Sequence, residues 1–160
     1  MAVDMFLKID GVDGESVDDK HSKWIDILSF SWGIADASRA PSQLGKAPKG
    51  RRVEVSDFSI VKYMDKATPA LFEKCCEGSH IADVSLTLVR AGEKQEEYLK
   101  IKLTDVLISG VAPAGSTGQL PLEQISFSFA SSMISAADEK GVFSSIAGCG
   151  AASFDQLKER

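Results

Sequence analysis

Residues 82–108 read ADVSLTLVRAGEKQEEYLKIKLTDVLI, and their alternation decides the fold class. Val84, Leu86 and Leu88 face one way while Asp83, Ser85 and Thr87 face the other, which is the period of a half-buried strand. Ala91-Gly92-Glu93 then turns the chain. The return strand points Leu99, Ile101 and Leu103 inward and Lys100 and Lys102 outward. Val106 and Ile108 continue it with the inward parity shifted, which predicts a bulged residue near Thr104-Asp105.

Outward from this hairpin, the same period recurs on both sides. Met5 to Asp10 alternates, with Met5, Leu7 and Ile9 opposite Phe6 and Lys8, and stops at Asp10-Gly11. Trp24 to Gly33 reads as one strand, with Trp24, Leu28, Phe30 and Trp32 on one face and Ile25, Ile27, Ser29 and Ser31 on the other. Asp26 falls on the aromatic face, which predicts a bulge or a strand start nearby. Strand composition resumes at Val53 and Val55 and again from Phe58 to Tyr63, with a break near Ser56-Asp57. Ile125, Phe127 and Phe129 form a further inward row, with Gln124, Ser126 and Ser128 as polar partners. Residues 131–160 are Ser- and Ala-rich, and Gly141, Gly148 and Gly150 interrupt every candidate element.

One helix is clear, Thr68 to Gly78, with Thr68 as N-cap, Pro69 in the first turn and Gly78 as the stop. Leu71, Phe72, Cys75 and Cys76 share its apolar side, and so short a helix must pack on a sheet. Seven or eight short strands and one helix predict a mainly β fold, a sandwich or squat barrel in which the helix closes one side. The 160 residues fit a single domain over 1–160.

Composition narrows the function. Eighteen Lys plus Arg against 23 Asp plus Glu, a net charge of −5, argue against nucleic acid as the main partner. No apolar run is long enough to span a bilayer, and Asp4 and Lys8 interrupt any secretory signal at the start. Cys75, Cys76 and Cys149 form no spaced disulfide framework.

Catalytic chemistry finds little to stand on. The two histidines are His21, in a charged loop where a solvated surface position is expected, and His80, placed to meet the carbonyls at the helix C-terminus. Cys75 and Cys76 sit at the negative end of the helix dipole and read as core packing, and no zinc set forms around them. The phosphate-loop pattern fails around Gly45-Lys46, since Ala40 and Ala47 occupy the positions of its first glycine and its hydroxyl residue. The expectation is no enzyme, no metal and no cofactor.

Charge placement is more informative. Residues 1–20 hold six acids and two lysines, a local balance of −4. Residues 39–52 hold Arg39, Lys46, Lys49, Arg51 and Arg52 with no acid, a balance of +5, inside a long Pro- and Gly-containing loop that starts at Ala35. This loop is open to three readings: a solvated surface, a phosphate-binding patch lacking interleaved aromatics, or a contact between identical subunits docked head to tail.

The segments MAVDMFLKIDGVDGES (1–16), ILSFSWG (27–33), VSDFSIVKYMDKATPALFEKCCEGSHI (55–81), TLVRAG (87–92) and EYLKIKLTDVLISG (97–110) resemble, in order, the Hcp (haemolysin-coregulated protein) family of type VI secretion. The resemblance implies two β-sheets folded into a squat barrel with one flanking helix. It further implies a homo-hexameric ring and stacking of rings into a tube inside a contractile sheath. The tube carries a spike at its tip and small effector proteins in its lumen. Such subunits wait in the bacterial cytoplasm and are then expelled, outside or into a target cell, without a signal peptide. On this reading Ser29 and Ser31 are lumen-facing candidates, and Arg39, Lys46, Lys49, Arg51 and Arg52 are candidates for contacts between subunits or rings. The chain departs from the family at its end, where Ser131 to Ala136 offers only Met133 and Ile134 and Phe154-Asp155 stands nearest the family's Trp-Asp pair, so final strands that are shorter or differently packed are expected. The alternative is a monomeric small β-barrel that binds a peptide or saccharide.

Overall fold

The alternating stretch forms the antiparallel pair β7 (Ile81–Arg90) and β8 (Glu96–Ala114) in the computed structural model, which describes residues 2–36, 53–91, 94–137 and 143–147. Val84, Leu86, Ile101 and Leu103 are buried as their parity requires. Asp105 takes a left-handed φ of 53°, and there the inward row passes from Leu103 to Val106. In the neighbouring strand, β9 (Leu122–Ala137), the inward row likewise passes from Phe129 to Ser132, while Thr104 stays opposite Ser131 and Val106 opposite Phe129. The register slip between these two strands lies further on, between Ile108 and Gly110.

The other strands are β1 (Val3–Ile9), β2 (Ile25–Asp26), β3 (Ser29–Ser31), β4 (Ile34–Asp36), β5 (Val53–Val55), β6 (Phe58–Tyr63) and β10 (Phe143–Ala147). Eight strands make one curled antiparallel sheet in the order β2-β1-β7-β8-β9-β6-β3, with β10 also on β9. β4 and β5 pair separately as a ribbon. Ten strands are thus found among the described residues, more than the seven or eight expected: the stretch 24–33 divides near Asp26 into β2 and β3, β4 occupies the start of what was expected to be loop from Ala35, and β10 lies in the stretch where no element was read.

The stretch 24–33 splits so that it can close the sheet on itself. Ile27 N–H donates to Met5 O at 3.2 Å, and Leu28 N–H donates to Val61 O at 2.8 Å. One short piece of chain therefore leaves β1 and joins β6, supplying the two end strands β2 and β3. Switching partners kinks the backbone and flips the inward face. Ile25 and Ile27 go into the core with Phe30 and Trp32, whereas Leu28, expected beside the aromatics, is 44% exposed. The closed sheet surrounds a core in which Phe58, Phe127, Ile60 and Ile125 are fully buried; each such side chain contributes about 1.5–3 kcal/mol.

The helix α1 (Thr68–Glu77) lies against β8 and ends where expected, at Gly78, whose φ of 64° lets its N–H and that of Ser79 reach the carbonyls of Cys75 and Lys74. Its start differs. Ala67 is the N-cap, and Asp65 accepts from the Ala67 N–H at 3.0 Å. The Thr68 hydroxyl does not cap the helix; it accepts from Asp65 N–H and donates to Glu123 Oε1 at 2.9 Å. Leu71 and Cys75 face the core, but Phe72 and Cys76 are exposed, so the predicted apolar side is narrower than four residues. β9 runs on to Ala137 and pairs with β10 from Phe143↔Ala137 to Ala147↔Met133, so the shortened ending expected after Ala130 is not found there. Residues 39–52, Cys149 and Phe154-Asp155 lie outside the described residues.

Candidate functional site

Ser29 and Ser31 sit on the outer face of β3, opposite the core residue Phe30. Register carries this face across four strands: Ser31 is opposite Ser59, Ser59 opposite Ser126, and Ser126 opposite Gly110. The result is a row of small, uncharged residues, continued beside it by Ser29, Val61, Gln124 and Ala112. Asp57, in the break before β6, ties the neighbouring serines together by accepting from Ser109 Oγ at 2.7 Å and Ser128 Oγ at 3.2 Å. Cross-strand parity puts these side chains on one face because Phe30, Ile60, Ile125 and Val111 occupy the other. This surface offers a row of hydroxyls. Arg39, Lys46, Lys49, Arg51 and Arg52 cannot be placed with it, since they lie outside the described residues.

His21 is not the solvated residue that its charged neighbours suggested. It is 1% exposed, with Nδ1 at 2.7 Å from Asp18 Oδ2 and Nε2 at 2.8 Å from Glu97 Oε1. Its ring stacks on Phe6 with centroids 4.6 Å apart and meets the edge of Trp24. The loop before β2 is thereby fastened over the outer face of β1 and onto the start of β8. The Asp18 carboxyl is held below the usual carboxylate range first by its hydrogen bond with His21 and further by Gln95. Burial pushes Glu97 up, but its hydrogen bonds with Lys100 and His21 outweigh this and leave it lowered. Gly14 makes the loop possible: a Cβ there would lie 2.3 Å from the Trp24 carbonyl oxygen.

A second buried polar cluster joins the barrel to the helix. Lys62 and Glu123, opposite each other on β6 and β9, are both 0% exposed and form an ion pair. Lys62 Nζ also lies 2.8 Å from Asp65 Oδ1 and donates to the Tyr63 carbonyl, while Glu123 Oε2 has no hydrogen-bond partner among the described residues. Lys62 continues the inward row of Phe58 and Ile60, so its position was legible from parity; its partner was not.

His80, expected at the helix carbonyls, instead pairs with Asp105 at 2.7 Å and is 66% exposed in open surface. Among the described residues, no group of three or more His, Cys, Asp or Glu side chains is arranged to hold a metal ion. No helix among them is long and apolar enough to cross a membrane.

Comparison with known proteins gives these surfaces their setting. A family model described as "Type VI secretion system effector, Hcp" matches residues 6–135, nearly the whole closed sheet. The chain is 41% identical over 132 residues to Protein hcp1 of Pseudomonas aeruginosa, covering 81% of this chain and 80% of that one. The crystal structure of Hcp1 from Salmonella typhimurium superposes with a TM-score of 0.75 at 34% identity, covering 91% of this chain and 92% of the other. A type VI secretion system effector from Yersinia pestis gives 0.76 at 38% identity, covering 90% and 98%. Sequence segments, strand order and superposition therefore agree, and the chain belongs to the Hcp family of type VI secretion proteins.

Proposed function

We propose that this protein is the non-enzymatic tube subunit of a type VI secretion system, acting as a single domain that forms hexameric rings. The rings stack into a tube that meets a contractile sheath and a spike, and small effector proteins travel in its lumen. Subunits assemble in the bacterial cytoplasm and leave the cell with the tube, with no signal peptide, cofactor, nucleic acid or membrane insertion required. The observation that carries this reading is the family match across residues 6–135. The serine row through Ser31, Ser59 and Ser126 supports Ser29 and Ser31 as lumen-facing residues, because small neutral side chains let cargo pass without adhering.

Native mass across a dilution series tests the proposal. A species near about 103 kDa, six times the 17.2 kDa subunit, that persists on dilution supports a closed ring. A 17.2 kDa monomer at all concentrations overturns it and favours the peptide- or saccharide-binding module.

A further inference from the structure

The serine row uses the second half of β8 and the first half of β9; the other halves of these strands form a different outer surface with β7 and β1. There the register aligns Lys8, Ser85, Lys102 and Met133 across four strands, and beside them Phe6, Thr87, Lys100 and Ser135. Side-chain size alternates across these rows. The short hydroxyl side chains of Ser85 and Thr87 on β7 lie low between Trp24, on the β1 side, and Lys100, Lys102 and Met133, on the β8 and β9 side. The trough between them has a volume of about 420 Å³, within the range of about 300–1,000 Å³ usual for ligand pockets.

Its lining combines two chemistries. Trp24 and Met133, the latter 39% exposed, supply apolar surface at opposite sides. Lys100 and Lys102 supply cations, and Lys8 Nζ stands 5.9 Å from the Trp24 ring centroid beside them. Two carboxylates offset these charges. Glu97 is engaged at both oxygens, by His21 at 2.8 Å and by Lys100 at 2.8 Å. Asp83 meets Lys102 only at 3.8 Å, with both side chains about half exposed, a contact of little energy. The Lys102 ammonium can therefore turn from Asp83 to a better acceptor at small cost. In a chain whose net charge is −5, this trough is a local concentration of positive charge between apolar walls.

We propose that the trough bounded by Trp24, Thr87, Lys100, Lys102 and Met133 is a binding site for a small amphipathic anion, an aromatic or aliphatic body carrying one carboxylate, sulfonate or phosphate group. The body lies between the Trp24 ring and the Met133 side chain, and the Thr87 floor leaves it room. The anionic group accepts hydrogen bonds from Lys102 and Lys100, and such charge-assisted bonds are stronger than neutral ones. The site uses one subunit only, so it stands or falls independently of the tube reading.

Anilinonaphthalene sulfonate is a probe of this class, and phenylnaphthylamine is the same body without the anion. Binding is followed by fluorine NMR of the full chain labelled with fluorotryptophan, in whatever assembly it adopts. The two tryptophans report separately: Trp24 lines the trough, whereas Trp32 packs against the core beside Phe58 and Phe129. The sulfonate is expected to saturate at one per subunit, moving the Trp24 signal and leaving that of Trp32 in place. Phenylnaphthylamine should bind at least tenfold more weakly. Lys102→Gln, at an outward position whose loss leaves the fold intact by circular dichroism, should weaken the sulfonate about tenfold, and Met133→Ser should weaken both probes. Val17→Asp, which removes the 95% exposed apolar side chain elsewhere on the surface, should leave the affinity unchanged. An unmoved Trp24 signal, equal affinity for the uncharged probe, or undiminished binding by Lys102→Gln would each overturn the assignment.

Discussion

Replacing Lys62 by methionine keeps the apolar stem and removes the ammonium with its hydrogen bonds to Asp65 and the Tyr63 carbonyl. In the native protein the ammonium is ion-paired with both Glu123 and Asp65 at a site where Lys62 and Glu123 are wholly shielded from water. After the substitution Glu123 keeps one hydrogen bond, from Thr68, and its second oxygen already has none. Leaving a buried charge without its partner costs about 3–5 kcal/mol. A domain of this size is stable by only about 5–15 kcal/mol, and each kcal/mol moves its melting temperature by about 2–4 °C, so Lys62→Met is expected to lower it by roughly 6–20 °C. The double variant Lys62→Met/Glu123→Leu removes the two wholly buried charges, leaves Asp65 at the edge of the site where water reaches it, and recovers most of that loss, less about 1 kcal/mol for the Thr68 hydroxyl left without its acceptor. Urea unfolding of both single variants and the double, at one protein concentration, closes the cycle. A Lys62→Met cost below about 1 kcal/mol, or a double variant no more stable than Lys62→Met, would refute the reasoning.

Other consequences are as direct. The lowered Asp18 and Glu97 carboxyls stabilise the folded chain above their unfolded values, near about pH 4, and this contribution is lost as pH falls through the depressed folded values. His21→Ala removes one hydrogen bond from each, so the acid-side fall in urea midpoint should be shallower than in wild type; an unchanged slope would mean that His21 does not hold them down. Gly14→Ala forces a methyl group against the Trp24 carbonyl and the Ile25 backbone, with an expected loss of about 1–3 kcal/mol or more; a melting temperature equal to wild type would contradict the close approach. Leu71→Ala empties the helix's buried contact with the barrel and should cost about 2–5 kcal/mol, measured by the same unfolding curves.

The amino-acid order alone carried the features that depend on near neighbours. The inward rows of β7, β8 and β9, the parity change beside Asp105 and the helix stop at Gly78 follow from period-two alternation and from a left-handed backbone position, both set within a few residues. The family segments were equally plain, because they are strings of adjacent residues. Only the closed fold decided who lies opposite whom. Residues 25–31 look like one strand until the sheet needs them to leave β1 for β6, and that change of partner sends Ile25 and Ile27 inward and Leu28 outward. His21 reads as a surface residue among charges until Glu97, 76 positions away, and Phe6 enclose it. Lys62 has the right parity for the core and no visible reason to be there until Glu123 faces it across the sheet. Burial and charge pairing are properties of long-range contacts, whose partners local periodicity does not specify.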